Sequence, residues 1–435
     1  MKLKKVKGFC LSIALVSLSV VNFSCGGSSK SDDFNPDWNA QSQHGWRGPD
    51  RSGTYHETGL LKSWAEEGPT LLWETLDVGK GYSSPVVVNE KIYVTGMTEA
   101  EDTEFFSAYT LDGKKLYQVD YGTPWKESYP DTRTTPTIVD NRAYVISGMG
   151  EIVCLSTTDG TIIWKVDGNK EFGRKVGIWG TSESPLVFDN KVIFTPGGDK
   201  TSIVALNATT GETVWQSKSL RAISSYVSPL LITHNGRKQI VAAVMGHVMG
   251  VNPENGKIEW TFTDWAKENT GEKIMCNTPL FKDRRIYVSN GYDQGSFMLE
   301  LNDDATAVEL LWRNDDLDTH HGGFVLVDGT IYGSNWLDNN SGKWVAVDWE
   351  TGKTMYEHEW ARKNKGSIIT ADDMLYCYDE RRGTIGLVPA TPEKFEAVSE
   401  FRITQGEGPH WAHPVINNGV LYVRHGNALM AYQIK

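Results

Sequence analysis

The chain has 435 residues, 39% of them hydrophobic and 23% charged, enough apolar material for a packed core and too much for compositional disorder. Its formal net charge of −12 excludes a general nucleic-acid binder, because a phosphate backbone demands a basic surface. The 43 glycines and 16 tryptophans point to many tight turns and many large anchors, as in a repetitive all-β chain.

The chain opens on an address. Lys2, Lys4, Lys5 and Lys7 make a basic start, and the apolar run from Phe9 to Val21 is too short to span a bilayer comfortably. Ser24-Cys25-Gly26-Gly27 then reads as the end of a lipoprotein signal, residues 1–24, with the lipid on Cys25. An ordinary secretory signal is the alternative. Residues 25–43 are rich in Ser, Asp and Asn and read as a flexible tether. Beyond them, Cys154, Cys276 and Cys377 contain no adjacent pair and no pair two residues apart. Cys154 and Cys377 fall in apolar strand runs and read as small core residues.

From residue 44 onward the sequence repeats. A Ser/Thr-Pro or similar pair opens a strand, and an aromatic or Ile follows eight residues later. Examples are Ser84-Pro85 to Tyr93, Thr135-Pro136 to Tyr144, Ser184-Pro185 to Ile193, Thr278-Pro279 to Tyr287 and His413-Pro414 to Tyr422. Ser228-Pro229 opens another unit, and counting back from Tyr332 and Tyr376 places Phe324 and Ile368 at the two missing proline positions. A second anchor is a turn Gly with an aromatic four residues on, as in Gly113 to Tyr117, Gly160 to Trp164, Gly211 to Trp215, Gly256 to Trp260 and Gly352 to Tyr356. Short β-branched runs between the anchors predict four strands per unit. Such units cannot bury both faces alone, so the expected fold is a closed all-β ring, an eight-bladed β-propeller over residues 44–435. The last unit runs out after about three strands. Leu71-Leu72-Trp73, one period before Tyr117, is predicted to supply its missing outer strand.

The stretch Ala205-Leu206-Asn207-Ala208-Thr209-Thr210-Gly211-Glu212-Thr213-Val214-Trp215 resembles the tryptophan-docking repeat of pyrroloquinoline-quinone (PQQ)-type propellers, and weak copies cover residues 71–435. That family includes PQQ-dependent alcohol dehydrogenases and the non-enzymatic propeller lipoprotein of the outer-membrane β-barrel assembly machinery. Trp46-Arg47-Gly48-Pro49 and Gly408-Pro409-His410-Trp411-Ala412-His413-Pro414 are similar to segments of PQQ-like lipoproteins of Bacteroidetes. The resemblance implies a lipid-anchored outer-membrane protein facing the periplasm or the cell surface, with outer-membrane proteins as potential partners.

It also implies that the strand opened by Ser-Pro is innermost, so that residues just before each proline position line one mouth of the axial channel. Three before it lie Tyr82, Arg133, Ser182 and Tyr226 in the first four units, then Cys276, His321, Lys365 and Trp411. Glu183 and Asn277 fall two before, and His413 one before. A ring needed only for packing would keep small residues here, yet this level carries Tyr, Arg, His, Lys and Trp. With His320 and His410 added, four histidines are expected near one mouth. Convergent polar and aromatic groups are the usual form of a small-molecule site; passive lining of a wet channel is the alternative.

The ligand that suits these groups is a carbohydrate. Trp and Tyr faces stack on sugar rings, and Arg133 with Lys365 can hold a carboxylate or sulfate. His321, Lys365, His413 and Glu183 are the candidates for acid–base chemistry. No closely spaced metal motif stands out. PQQ with calcium is disfavoured, because the adjacent-cysteine pair of the large quinoprotein enzymes is missing and their calcium ligands find no place in the register. The preferred expectation is a propeller that binds, and in one version processes, a small polar ligand. An assembly scaffold at the outer membrane is the second reading, and a quinoprotein oxidoreductase the third.

Overall fold

Runs such as Val86–Val88 and Lys91–Met97 are β-branched and end at Asn, Asp or Gly turns, so they extend and pair with their chain neighbours. The computed structural model describes residues 43–263 and 274–435; the signal, Cys25 and the tether to residue 42 lie outside them. Among the described residues the strands form eight sheets, each built on four strands in antiparallel order, arranged as a β-propeller. The one helix among the described residues, Gly168–Phe172, follows the outer strand of the second blade.

The predicted register holds. Val86 pairs with Tyr93, Leu186 with Ile193 and Val415 with Tyr422, each one residue after the proline position. Val325 pairs with Tyr332 and Ile369 with Tyr376, which places Phe324 and Ile368 where the sixth and seventh blades lack proline. Cys154 and Cys377 lie fully buried inside strands.

The second anchor joins the blades. At four internal joints the outer-strand aromatic lies over the turn glycine of the following blade: Tyr117 over Gly160, Trp164 over Gly211, Trp215 over Gly256 and Trp312 over Gly352. An added Cβ at Gly211 would come within 2.8 Å of the Trp164 ring, so only glycine leaves room for the wedge. The polar tip of each aromatic donates to the same turn, as Trp164 Nε1 to Ala208 O at 3.0 Å and Trp215 Nε1 to Pro253 O at 2.9 Å.

Ring closure uses the predicted strand. Thr70–Thr75 pairs antiparallel with Ala428–Gln433 and completes the eighth blade. The buried Arg424 side chain crosses the same seam, donating to Gly79 O at 3.0 Å, Ser83 O at 3.0 Å and Thr95 O at 2.8 Å of the first blade.

Two further short strands come from the segment before it. Gln43–His44 pairs antiparallel with Thr137–Val139, the inner strand of the second blade. Thr54–Tyr55 pairs in parallel with Gly366–Ala371, the inner strand of the seventh. The inner strands run from the Ser-Pro mouth to the opposite face, so this segment enters the axis from that opposite face and returns to it.

Candidate functional site

The turn between those two strands, Trp46 to Gly53, plugs the axial channel. Its two arginines point into the ring and are buried. Arg47 donates to Phe324 O at 2.6 Å and Ile368 O at 3.2 Å. Arg51 donates to Ser184 O and Pro229 O, both at 3.1 Å, and to Pro185 O. Trp46 Nε1 donates to Thr278 Oγ1 at 3.2 Å. Three side chains thus bind the inner ends of five different blades. Burial lowers the pKa of each arginine to about 10, and the backbone carbonyls offset the lost hydration.

The plug turns a channel into a cup. Above Trp46 lies a cavity of about 330 Å³. All eight residues three before the proline positions line it: Tyr82, Arg133, Ser182 and Tyr226 from the first half of the ring, and Cys276, His321, Lys365 and Trp411 from the second. Aromatic rings form two walls. Trp411 has its centroid 4.8 Å from Tyr82, 4.9 Å from Tyr129 and 5.2 Å from His321. Across the cup, Trp179 lies 5.8 Å from Tyr226 and 6.4 Å from Tyr292, nearly parallel to the latter. Trp46 is 4.6 Å from the His413 ring.

Several of the candidate residues are committed elsewhere. Glu183 is buried outside the lining and its carboxylate accepts from the Thr195 N–H at 3.0 Å and from the Thr195 hydroxyl; burial pushes its pKa up to about 7. Asn277 is likewise buried outside the lining, donating to Thr319 O at 2.8 Å and accepting from Gly323 N at 3.1 Å. His410 stacks on His425 at 3.6 Å and takes the Tyr378 hydroxyl at 2.6 Å, away from the cup. Residues two before the proline position turn back onto their own blade, as Glu183 onto Thr195 and Thr134 onto Ile146 O; His410 sits one step too early in its loop to reach the cavity.

His413 lines the cup but has no free nitrogen. Arg47 Nη1 lies 2.8 Å from its Nδ1, and a guanidinium only donates, so Nδ1 accepts and Nε2 donates to His321 O at 3.0 Å. Burial, then the Arg47 charge, holds it neutral, with its pKa well below the ordinary value. Lys365 is saturated as well: its ammonium reaches Glu380 at 2.7 Å, Asn339 O at 3.0 Å and Asp338 O at 3.1 Å. Neither is placed to move a proton. Gly323, one of the two glycines that set the sixth blade apart, also serves the plug, since an added Cβ there would collide with the Arg47 guanidinium.

His321 and His320 keep a face toward the cavity. His321 Nε2 lies 3.5 Å from Glu380 Oε2, and His320 Nε2 is 2.8 Å from the Tyr292 hydroxyl. Burial lowers the pKa of both, so the imidazoles are held neutral. The Cys276 thiol is pushed up to about 12 by burial. Among the described residues no group of three His, Cys, Asp or Glu side chains gathers to hold a metal ion. Sequence reasoning missed Trp46, Tyr129, Trp179, Tyr292, Asn339 and Glu380, all in the lining. They lie on loops outside the repeat anchors; their only signal is that Tyr129 and Trp179 shortly precede a mapped mouth position.

The profile of the family described as outer membrane protein assembly factor BamB matches residues 107–358. An uncharacterized protein of Rickettsia conorii is 26% identical over 238 residues, 47% of this chain and 54% of that protein. Outer membrane protein assembly factor BamB of Legionella pneumophila is 25% identical over 191 residues, 41% of this chain and 45% of that protein. The chain therefore spans about half the length of the curated relatives it matches. Among solved structures, BamB from Moraxella catarrhalis superposes with a TM-score of 0.63 at 15% identity, covering 84% of this chain and 100% of that one. Quinohemoprotein alcohol dehydrogenase from Comamonas testosteroni superposes with a TM-score of 0.65 at 12% identity, covering 88% and 79%. These two likenesses are of fold alone. The profile match extends over more than half of the chain, across blades joined by the docking repeat, and the chain belongs to the PQQ-repeat propeller family of the outer membrane protein assembly factor BamB.

Proposed function

We propose that this protein is a lipid-anchored outer-membrane propeller whose plugged axial cup binds a small polar ligand, a carbohydrate. One observation carries the reading: the eight register positions, six of which depart from small residues, converge on a single cavity, closed below by Trp46. Concave, aromatic-walled sites with a few fixed polar groups are what small ligands need. The two aromatic walls offer faces to the C–H side of a sugar ring, while Ser182, Ser228 and Asn339 offer hydroxyl and amide partners.

A quinone cofactor is not part of this reading. PQQ is a flat tricarboxylate, and among the described residues the cup offers it one cation without an ion pair in the lining, Arg133, since the Lys365 charge is already spent on Glu380. A calcium ion to bridge the cofactor would need a carboxylate set, and among the described residues the lining contains one carboxylate, Glu380. The donor chemistry does not fit the group.

The test is a thermal-shift screen of the full chain against neutral and acidic oligosaccharides, since a ligand that binds only the folded state raises Tm by mass action. A shift with a sugar, abolished in Trp411→Ala without loss of the fold, is expected. No shift with any sugar sinks the reading. The family match favours a second reading, an interaction scaffold for outer-membrane protein assembly. Co-purification of barrel-assembly subunits with the chain would support it, and the two roles are compatible because the cup occupies the axis and leaves the blade rims free.

A further inference from the structure

Charge gives the cup a preference opposite to that of the chain. The chain as a whole carries a formal charge of −12. The charged side chains in the lining are Arg133, Lys365 and Glu380. Lys365 and Glu380 cancel: their ion pair is 2.7 Å long, with side chains only 4% and 6% exposed. Arg133 has no such partner among the described lining residues. Its Nη2 is held by Ser128 O at 3.1 Å and by Tyr129 O, and backbone carbonyls fix a guanidinium without neutralising it. Asp131, outside the lining, lies within electrostatic reach of both Arg133 and the buried Arg424, so one carboxylate is shared between two guanidiniums. A guanidinium stays protonated even where burial lowers its pKa. Among the described lining residues one net positive charge thus stands in an aromatic cup, beside the Tyr82–Tyr129–Trp411 wall.

A desolvated cation gains most from an anion that can take two of its parallel N–H groups, and a carboxylate has that fork. The neighbouring aromatic faces suit a ring attached to it. At the far end of the lining, Glu380 Oε2 has no hydrogen-bond partner among the described residues, and its nearest neighbour is His321 Nε2 at 3.5 Å. That end is polar but electrically neutral, suited to hydroxyls.

We infer that the cup selects a sugar carrying a single carboxylate, a uronate-class residue. Arg133 holds the carboxylate, the Trp411 wall takes the ring, and the His321–Glu380–Lys365 end faces the hydroxyls. This rests on the carbohydrate reading above.

The experiment is a glycan array probed with the full chain, carrying neutral, carboxylated and sulfated glycans, followed by calorimetry with galacturonate, galactose and galactose 6-sulfate. Galacturonate is expected to bind about tenfold or more tighter than galactose, the range of one charge-assisted hydrogen bond. Arg133→Gln should erase that difference and Arg133→Lys should keep part of it, with unchanged melting curves in both. Neutral glycans binding as well as acidic ones would overturn the inference and leave the carbohydrate cup standing. Preference for sulfated over carboxylated rings would overturn the carboxylate assignment. Binding of no glycan in any class would overturn both. If Arg133→Gln fails to fold, the array result and the Arg133→Lys affinity ratio decide.

Discussion

The indole of Trp73, in the strand that completes the eighth blade, lies on Gly113 of the first blade and donates from Nε1 to Leu111 O at 2.7 Å. The ring therefore closes with the same wedge that joins its internal blades. Trp73→Ala is expected to cost about 3 kcal/mol, comparable to Trp215→Ala at an internal joint. Denaturant melts of the two variants check this. A cost near zero for Trp73 alone would mean that the Arg424 seam closes the ring without the wedge.

The plug should stabilise the ring and shape the cup together. Arg47→Met removes donors from Phe324 O, Ile368 O and Ser52 O and leaves those carbonyls in a buried channel. A loss of about 3 kcal/mol is expected, as for other broken buried charge networks. Trp46 fluorescence should change in the same variant, because the indole is positioned by its neighbour. An unchanged melt and an unchanged emission would remove the plug from the structural argument.

Lys365 and Glu380 are predicted to behave as a coupled pair. Lys365→Met leaves a buried carboxylate uncompensated and should destabilise by about 3–5 kcal/mol. Adding Glu380→Leu should recover most of that loss, which a double-mutant cycle measures. If Lys365 were instead a proton donor held ready for chemistry, the second substitution would restore little.

Acid should act on this protein in two opposed directions. His410 is pushed down to about 3 by burial, then by His425 and Arg402, and its ring shares a 2.6 Å hydrogen bond with the Tyr378 hydroxyl. The unfolded chain binds that proton first, so the contribution is complete above about pH 6.5 and is lost as pH falls toward 3. Glu104 is pushed up to about 7 by burial, so the folded state binds its proton first and gains stability as pH falls from about 7 to 4.5. Stability measured from pH 7.5 to 4 should fall less in His410→Gln than in the native chain, and more in Glu104→Gln. Parallel curves for all three would refute the assignment.

The blades, their register and the closing strand were legible in the sequence because each depends on local signals repeated at one period. A turn glycine, a wedge aromatic and a proline position need no knowledge of the rest of the chain. That repetition also carried Tyr82, Arg133 and Trp411 to one mouth, since a residue at a fixed offset from an inner strand keeps the same height in every blade. What those side chains face was decided only in three dimensions. Glu380 neutralises Lys365 across a loop, Arg47 occupies His413 from a segment more than 350 residues away, and Trp46 makes the floor. None of these partners recurs with the repeat. A periodic sequence determines the ring, but the axis is where non-equivalent residues from every blade and from the plug meet, and their charges and hydrogen bonds are settled by that meeting alone.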